Sequence, residues 1–158
     1  REVSFFQNDI HCLTMDAARE HGISEGDFVY VLGFPMGLVA ERLNAVIVRS
    51  GSIARIRDAL AGHNSAFLVD AFIFPGNSGG PVLIRPEAFA VGQTKPFMSA
   101  RVVGIVSSYV PYQDVAVSPQ TGRTRVVFEE NTGLAMAFSV DCIDATIERH
   151  LDLTKSAS

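Results

Sequence analysis

A run of nine residues from Phe74 to Val82 holds three glycines, two prolines and an asparagine around one serine, Ser78. Glycine permits backbone conformations that a side chain forbids, so such a loop can turn sharply and expose the serine. The same turn can direct successive backbone N–H groups at one point. An accessible hydroxyl beside converging N–H donors is what nucleophilic attack on a carbonyl requires. A short Gly/Asn/Ser cluster is also typical of a plain turn, so the neighbouring residues must decide.

The neighbours favour the catalytic interpretation. The sequence Gly-Asn-Ser-Gly-Gly-Pro, followed by an apolar strand, resembles the nucleophile loop of trypsin-like (chymotrypsin-fold) serine peptidases. The longer run from Val69 to Gly80 is most similar to the bacterial HtrA-like branch. The resemblance implies Ser78 as the nucleophile. It also implies an oxyanion hole formed by the backbone N–H groups of Gly76 and Ser78, with Asn77 contributing backbone shape.

A second segment resembles the part of the same family that carries the aspartate of the catalytic triad. It reads Asn-Asp-Ile-His-Cys-Leu from Asn8 to Leu13, within a segment from Val3 to Met15 that we expect to be extended. The resemblance implies that Asp9 accepts a hydrogen bond from the catalytic histidine and holds its tautomer. Taken alone, Asp9 is more simply a surface residue at a strand start. Taken with Ser78, the triad role is the better interpretation.

The histidine of the triad is missing from the expected place. In the family it precedes the aspartate, usually by several tens of residues, and only eight residues precede Asp9. None of the four histidines has the family's sequence context: His11, His21, His63 and His150. We therefore expect the chain to be a fragment whose catalytic histidine lies upstream of Arg1, and the fragment alone to be nearly inactive.

Two later strands resemble the walls of the family's substrate pocket. The segment Gly104–Ser108 resembles the strand that pairs with the substrate backbone, and Gly133–Val140 resembles the opposite wall. Position relative to Ser78 places the pocket floor at Phe72 and Ile73, where no carboxylate occurs. We therefore expect cleavage after small or medium apolar residues, and a structural role for Asp70. The implied substrate-binding residues are Phe72, Ile73, Phe74, Ser107, Ser108, Tyr109 and Ala137.

These residues need a β-rich scaffold, and the abundance of valine, isoleucine and phenylalanine favours one. We predict a strand in the apolar run after Gly26-Asp27, which Gly33–Gly37 breaks, and further strands in 66–70, 81–85, 101–109, 125–129 and 134–139. Two more are predicted in 38–56, with a bend near Asn44 and another break at Ser50–Ser52. Loops are predicted at 86–99 and 111–124, and a polar turn at 58–64. A C-terminal helix from Asp141 to Leu151 would begin after Ser139 as its N-cap, with an apolar stripe at Val140, Ile143, Ile147 and Leu151.

The fold class implied by the resemblance is all-β, with two six-stranded antiparallel barrels and a C-terminal α-helix. The segment from Gly26 to Gly37 resembles the family's Gly-Asp-x-Val-x-x-x-Gly-x-Pro-x-Gly crossover between the barrels. We therefore assign 1–37 to the remnant of the first barrel and the crossover, 38–139 to the second barrel, and 140–153 to the helix. The first barrel would be incomplete.

Composition and net charge limit the classes of binding partner that the chain is expected to have. The 158 residues carry a net charge of −4 with mixed signs, so no basic face predicts nucleic-acid binding, and no apolar run is long enough to span a membrane. No cofactor or metal site is expected. Cys12 and Cys142 are interpreted as buried free thiols rather than a disulfide, which favours a bacterial cytoplasm over a periplasmic or secreted setting. The expected partner is a peptide or protein substrate; self-association is left open.

Two other functions remain compatible with the residues. A trypsin-fold module without its histidine could bind peptides through the old cleft and hydrolyse nothing. The serine loop could instead be coincidental within a different β-barrel binding domain. The serial order of the motifs along the chain favours the peptidase.

Overall fold

The protein is described by a computed structural model that covers residues 6–39, 45–88, 90, 92–96 and 98–156. Six antiparallel strands close into a barrel in the order β1-β2-β3-β6-β5-β4. A long helix follows the last strand, so the predicted all-β barrel with a C-terminal helix is confirmed. The strands are β1 Phe28–Gly33, β2 Ile47–Arg55, β3 Ala66–Asp70, β4 Pro81–Ile84, β5 Arg101–Val117 and β6 Thr124–Ser139.

Helices of different lengths lie outside the barrel wall. They are α1 Asn8–His11, α2 Met15–Glu20, a 3-10 turn Pro35–Gly37, α3 Arg57–Leu60 and the long C-terminal α4 Asp141–Ser156. The hydroxyl of Thr14 caps α2 by accepting a hydrogen bond from the Ala17 N–H at 3.3 Å. The prediction of an extended segment is therefore wrong for Asn8–His11, which forms a helical turn. Val3–Phe5 lie outside the described residues.

The barrel interior follows the two-residue period of β-strands. In β1, Val29 and Val31 are fully buried, whereas Phe28 and Tyr30 are exposed or half-buried. Val69, Val82 and Val103 complete the same interior from three other strands. The predicted β-rich core is therefore formed by β-branched residues. Burying one such side chain contributes about 1.5–3 kcal/mol to folding.

The barrel begins earlier in the chain than the sequence indicated. β1 pairs with β2 from Phe28 to Gly33 and with β4 from Val29 to Val31. It is therefore a strand of the same closed barrel as β2–β6, although it lies within the range 1–37 assigned to the first barrel and the crossover. A boundary at residue 37 would divide this barrel.

The break expected at Ser50–Ser52 is also wrong, since these residues lie inside the continuous strand β2. Gly51 indicates why. A Cβ atom on Gly51 would lie 2.3 Å from the carbonyl oxygen of Asp70, so glycine here allows β3 to approach closely. The bend expected near Asn44 falls outside the described residues.

The second predicted loop, 111–124, is instead the outer part of a β-hairpin. Strand pairing between β5 and β6 continues from Gly104 as far as Val117 and Thr124. The turn expected near Pro119–Gly122 is present, with Gly122 N–H donating to the Ser118 carbonyl at 2.9 Å. Proline has no N–H group to donate to a strand ladder. Pro111 is accommodated because the pairing of β5 with β6 is irregular between Tyr109 and Pro111.

The C-terminal helix is longer than predicted, and it is capped differently. Ser139 is the last residue of β6, and Val140 separates it from α4, so the N-cap assignment is wrong. Val140 is fully buried, whereas Ile147 and Leu151 are about half exposed. The apolar stripe therefore packs on the barrel only at its N-terminal end.

Candidate active site

The serine loop between β3 and β4 is closed by the side chain of Asn77. The Asn77 N–H donates to the Phe74 carbonyl, and the Phe74 N–H donates to Asn77 Oδ1, both at 3.0 Å. The Gly80 N–H then donates to the Asn77 carbonyl at 2.9 Å. Asn77 is completely buried. It therefore acts as the internal support of the loop, and its contribution to an oxyanion hole stays a prediction.

Replacing Asn77 with alanine should destabilise the loop without touching the serine. The substitution leaves the half-buried Phe74 N–H without its acceptor, which we expect to cost about 1–3 kcal/mol of unfolding free energy. Thermal or urea unfolding of the purified variant measures this. Asn64→Ala is a suitable control, because Asn64 Oδ1 accepts a comparable local bond from Ala66 N–H in an exposed turn. Equal losses in the two variants would contradict the supporting role.

Two glycines let the loop lie directly against the end of β1. A Cβ atom on Gly80 would lie 1.9 Å from the carbonyl oxygen of Leu32, and one on Gly76 would lie 2.3 Å from that of Phe34. Gly76 also has a φ of +100°, a conformation that other residues rarely adopt. Gly76 and Gly80 are therefore required by backbone packing.

Ser78 lies at the exposed surface of this loop, beside β5. Its Oγ donates a hydrogen bond to the Ser107 carbonyl at 2.8 Å. The loop is joined to the same strand by Gly79 N–H to the Val106 carbonyl at 2.8 Å and Val106 N–H to the Gly80 carbonyl at 2.9 Å. The structure thus brings together the predicted nucleophile and the strand predicted to hold the substrate.

The backbone N–H groups of the loop divide into used and unused donors. Those of Asn77, Gly79 and Gly80 have backbone acceptors, whereas within the described residues those of Gly76 and Ser78 have none. The two unused donors are the ones expected to form the oxyanion hole. The loop can therefore offer two N–H groups beside the exposed Ser78 hydroxyl.

Asp9 lies within α1, on a helical turn instead of a strand. The turn is attached to its surroundings on two sides. Asn8 Nδ2 donates to the Asp144 carboxylate of α4, and Leu13 N–H donates to the Val102 carbonyl of β5 at 2.8 Å. The role of Asp9 as the triad aspartate stays a prediction.

The contacts found for the histidines do not involve Ser78. His11 Nδ1 accepts a hydrogen bond from the Gln7 N–H at 2.8 Å, and His21 Nδ1 lies 2.9 Å from the Ala17 carbonyl oxygen. His63 is exposed and lines a polar cavity of about 570 Å³ together with Asp16 and Asp141. Within the described part of the chain, no imidazole forms a hydrogen bond with the Ser78 hydroxyl.

Tyr109 is directed along the hairpin. Its hydroxyl donates to the Glu129 carboxylate, and this bond raises the pKa of Tyr109 and lowers the pKa of Glu129. Gln113 Nε2 donates to the same carboxylate at 3.1 Å and lowers the Glu129 pKa further. The contact is therefore lost as the pH falls through the lowered pKa of Glu129, or rises through the raised pKa of Tyr109.

The predicted pocket residues occupy different environments. Ser108 is exposed, whereas Ile73 and Ala137 are buried in the barrel core. Phe72 is exposed and lines an open cavity of about 350 Å³ with Asp70 and Arg85. The guanidinium of Arg49 lies 5.2 Å from the centroid of the Phe74 ring. The structure thus groups Ser107 with Ser78 but places Phe72 on a separate cavity.

The sequence interpretation overlooked Asn131. Its Nδ2 donates to the Ile73 carbonyl at 2.6 Å, and its Oδ1 accepts from the Gly133 N–H at 2.9 Å. Asn131 therefore connects the base of the hairpin to the chain that leads into the serine loop. The available signal was the Asn-Thr-Gly sequence, which is typical of a turn or bulge within a strand.

Both cysteines are free and partly buried, so the predicted free thiols are confirmed, although neither is fully buried. Burial, followed by the negative charge of Asp144, raises the pKa of the Cys12 thiol. Cys142 lies at the start of α4 and lines an apolar groove of about 430 Å³ beside Ser107, with Phe138 and Ile147.

A closed antiparallel barrel with a glycine-rich serine loop joined to the adjacent strand is the architecture of a trypsin-like peptidase domain. A family model described as trypsin-like peptidase domain matches residues 4–92. The chain belongs to this family. The match includes α1, β1 and the serine loop, and it ends before β5. A comparison with curated proteins finds no match.

Membership of a peptidase family implies peptide or protein substrates. Within the described residues, no helix is both long and apolar enough to cross a membrane.

Proposed function

We propose that the protein is a serine endopeptidase of the HtrA-like type that hydrolyses peptide bonds through an acyl-enzyme on Ser78. The observation that supports this most strongly is the position of Ser78. Its hydroxyl is exposed at the start of an open strand edge and lies 2.8 Å from the Ser107 carbonyl. The N–H groups of Gly76 and Ser78 are free to receive an oxyanion within the described structure.

The proposed reaction is acyl transfer in two stages. Ser78 Oγ forms a bond to the substrate carbonyl carbon, its proton passes to a histidine, and the carbonyl oxygen becomes an oxyanion held by the two N–H groups. The C–N bond then breaks, and the histidine returns the proton to the leaving amine. Water attacks the acyl-serine by the same path, which releases the acid and restores the Ser78 hydroxyl.

The base in this proposal is a histidine located upstream of Arg1, oriented by Asp9. The described histidines support this assignment indirectly, since none of their imidazoles forms a hydrogen bond with the Ser78 hydroxyl. Ile73 is buried in the barrel core and Phe72 lines a separate cavity. The proposed preference for small or medium apolar residues before the scissile bond therefore rests on the absence of a carboxylate at these two positions and not on an observed pocket floor. A peptide library digested by the full-length gene product checks this preference, which strong cleavage after arginine would contradict.

A catalytically inactive peptide-binding module is the second candidate. It is favoured by the absence of a contact between any described imidazole and the Ser78 hydroxyl. Such a module would keep the open strand edge and lose only the proton transfer. The two candidates differ in whether the Ser78 hydroxyl is activated.

Labelling by a fluorophosphonate probe tests the peptidase proposal. The full-length gene product should label within minutes, and its Ser78→Ala variant should not label. The isolated 158-residue chain should label far more slowly, because the proposed base lies outside it. A correctly folded full-length protein that fails to label would favour the binding module.

A further inference from the structure

The outer part of the β5–β6 hairpin is a two-stranded ribbon that leaves the barrel. We call residues 109–131 the ribbon. On the barrel, β5 is flanked by β4 from Arg101 to Ile105, and β6 is flanked by β3 from Leu134 to Phe138. Beyond those residues, β5 and β6 pair only with each other in the described structure. The ribbon therefore has two free strand edges.

One of these edges starts at the proposed nucleophile. The serine loop forms backbone hydrogen bonds with Val106 at the β5 edge, and the Ser78 hydroxyl donates a hydrogen bond to the Ser107 carbonyl. From Ser108 to Val117 the same edge has no strand partner in the described structure. Ten residues of extended strand span roughly 33 Å, which is far more than the few residues next to a scissile bond need.

This edge has few of the features that usually protect free strand edges. Exposed edges are normally short, covered, or interrupted by charged side chains, prolines and bulges, and here the irregularities lie between Tyr109 and Pro111 and between Ala116 and Val117. From Ser108 to Val117 the only charged residue is Asp114, and the only residue without an N–H donor is Pro111. Every second residue directs its backbone groups away from β6, and these groups can pair with an added strand, which is a common mode of peptide recognition.

The ribbon also exposes apolar side chains on both of its faces. Val115 lies opposite Val127, and the next pairs, Asp114 with Phe128 and Ala116 with Val126, lie on the other face. Phe128 is 58% exposed, and Tyr112 is 59% exposed. A two-stranded ribbon is marginally stable by itself, so an added strand with alternating apolar residues would extend and stabilise it.

We propose that the ribbon binds the substrate as a third strand, so that an extended apolar stretch of about ten residues on one side of the scissile bond pairs with β5 from Ser108 to Val117. This inference rests on the proposed function. Antiparallel pairing, the more stable arrangement, places the bound stretch N-terminal to the scissile bond. Substrates are then selected by the length and extended conformation of this stretch, in addition to the residue that enters the pocket.

Peptide binding to the full-length Ser78→Ala protein tests this without turnover. The probes are fluorescent peptides of alternating valine and threonine, with about four or about twelve residues before the scissile position. We expect the long peptide to bind roughly tenfold more tightly. Methylating alternate backbone nitrogens of the long peptide should weaken binding in one of the two sets only, since successive N–H groups of a strand point in opposite directions.

Two matched variants locate the peptide on the ribbon. Val115→Lys places a cation on the β5 strand, and Val127→Lys places one on the same face of the opposite strand at a similar exposure. Val115→Lys should remove the tenfold advantage of the long peptide, whereas Val127→Lys should keep most of it. Circular dichroism of both variants controls for loss of the ribbon.

The contrary outcomes are distinct. Equal binding of long and short peptides, or equal effects of the two lysine variants, would overturn the ribbon site. An oligomer that Val115→Lys dissociates without weakening peptide binding would show that a second copy covers the edge, and would also overturn it. Fluorophosphonate labelling that fails while the long peptide still binds would contradict the peptidase and leave the ribbon site standing.

Discussion

Under the proposed mechanism, replacing Ser78 with alanine will lower peptide hydrolysis by the full-length protein about a million-fold, because the proposed attacking oxygen is removed. The fold should be unaffected. Ser78 is exposed, and its hydroxyl makes one hydrogen bond, to the Ser107 carbonyl. We therefore expect the unfolding free energy to change by no more than about 0.5–1 kcal/mol.

A matched control separates this effect from a general effect of losing a hydroxyl. Ser65 is an exposed serine before β3, and its carbonyl accepts a hydrogen bond from the Ser139 N–H that the substitution leaves in place. Ser65→Ala should keep full activity. Initial rates on an apolar peptide substrate, measured with unfolding curves for both variants, provide the comparison. Residual hydrolysis of a tenth or more in Ser78→Ala would exclude Ser78 as the nucleophile.

Replacing Gly80 with alanine will have the largest effect on the structure of the site. The added Cβ would lie 1.9 Å from the Leu32 carbonyl oxygen and 2.9 Å from the Asn77 carbonyl oxygen. Both contacts are with backbone, so the serine loop or β1 must move. We expect a loss of about 3 kcal/mol in unfolding free energy or more, together with loss of the Ser78 position.

Gly79 provides the control at the next position. Its φ is +82°, but nothing lies within 4 Å of an added Cβ. Gly79→Ala should therefore cost only the conformational strain, about 1–2 kcal/mol. Urea unfolding and fluorophosphonate labelling of the two variants compare the cost of the backbone contact at Gly80 with the cost of backbone strain at Gly79. If Gly79→Ala were as damaging as Gly80→Ala, backbone conformation and not the contact with Leu32 would explain the requirement for glycine.

Some elements could be predicted because their signal is local. β3 has the predicted bounds, Ala66–Asp70, since an apolar run with alternating burial lies between polar turns. β4 begins at the predicted Pro81 for the same reason. The turn at Pro119–Gly122 was also predicted, because its proline and glycine favour one conformation regardless of the rest of the fold.

Other elements could not be predicted because they depend on partners far along the chain. Gly51 resembles a strand breaker, yet it is accommodated inside β2 by the approach of Asp70. The segment 111–124 resembles a loop, since the two strands of the hairpin stabilise each other and bury little. The helical turn that contains Asp9 is held by Asp144 and Val102, which lie about a hundred residues or more away.

The sequence by itself predicted the chemistry that we propose for Ser78, because a glycine-rich turn around a hydroxyl is specified by residues next to one another. It also determined the β-rich core, through the period of its valines and isoleucines. Only the tertiary structure decided that Ser78 meets the Ser107 carbonyl, and that β5 continues past the barrel with an open edge. Both depend on closing the barrel, which brings together strands that are separated by long stretches of chain and whose pairing no local pattern specifies.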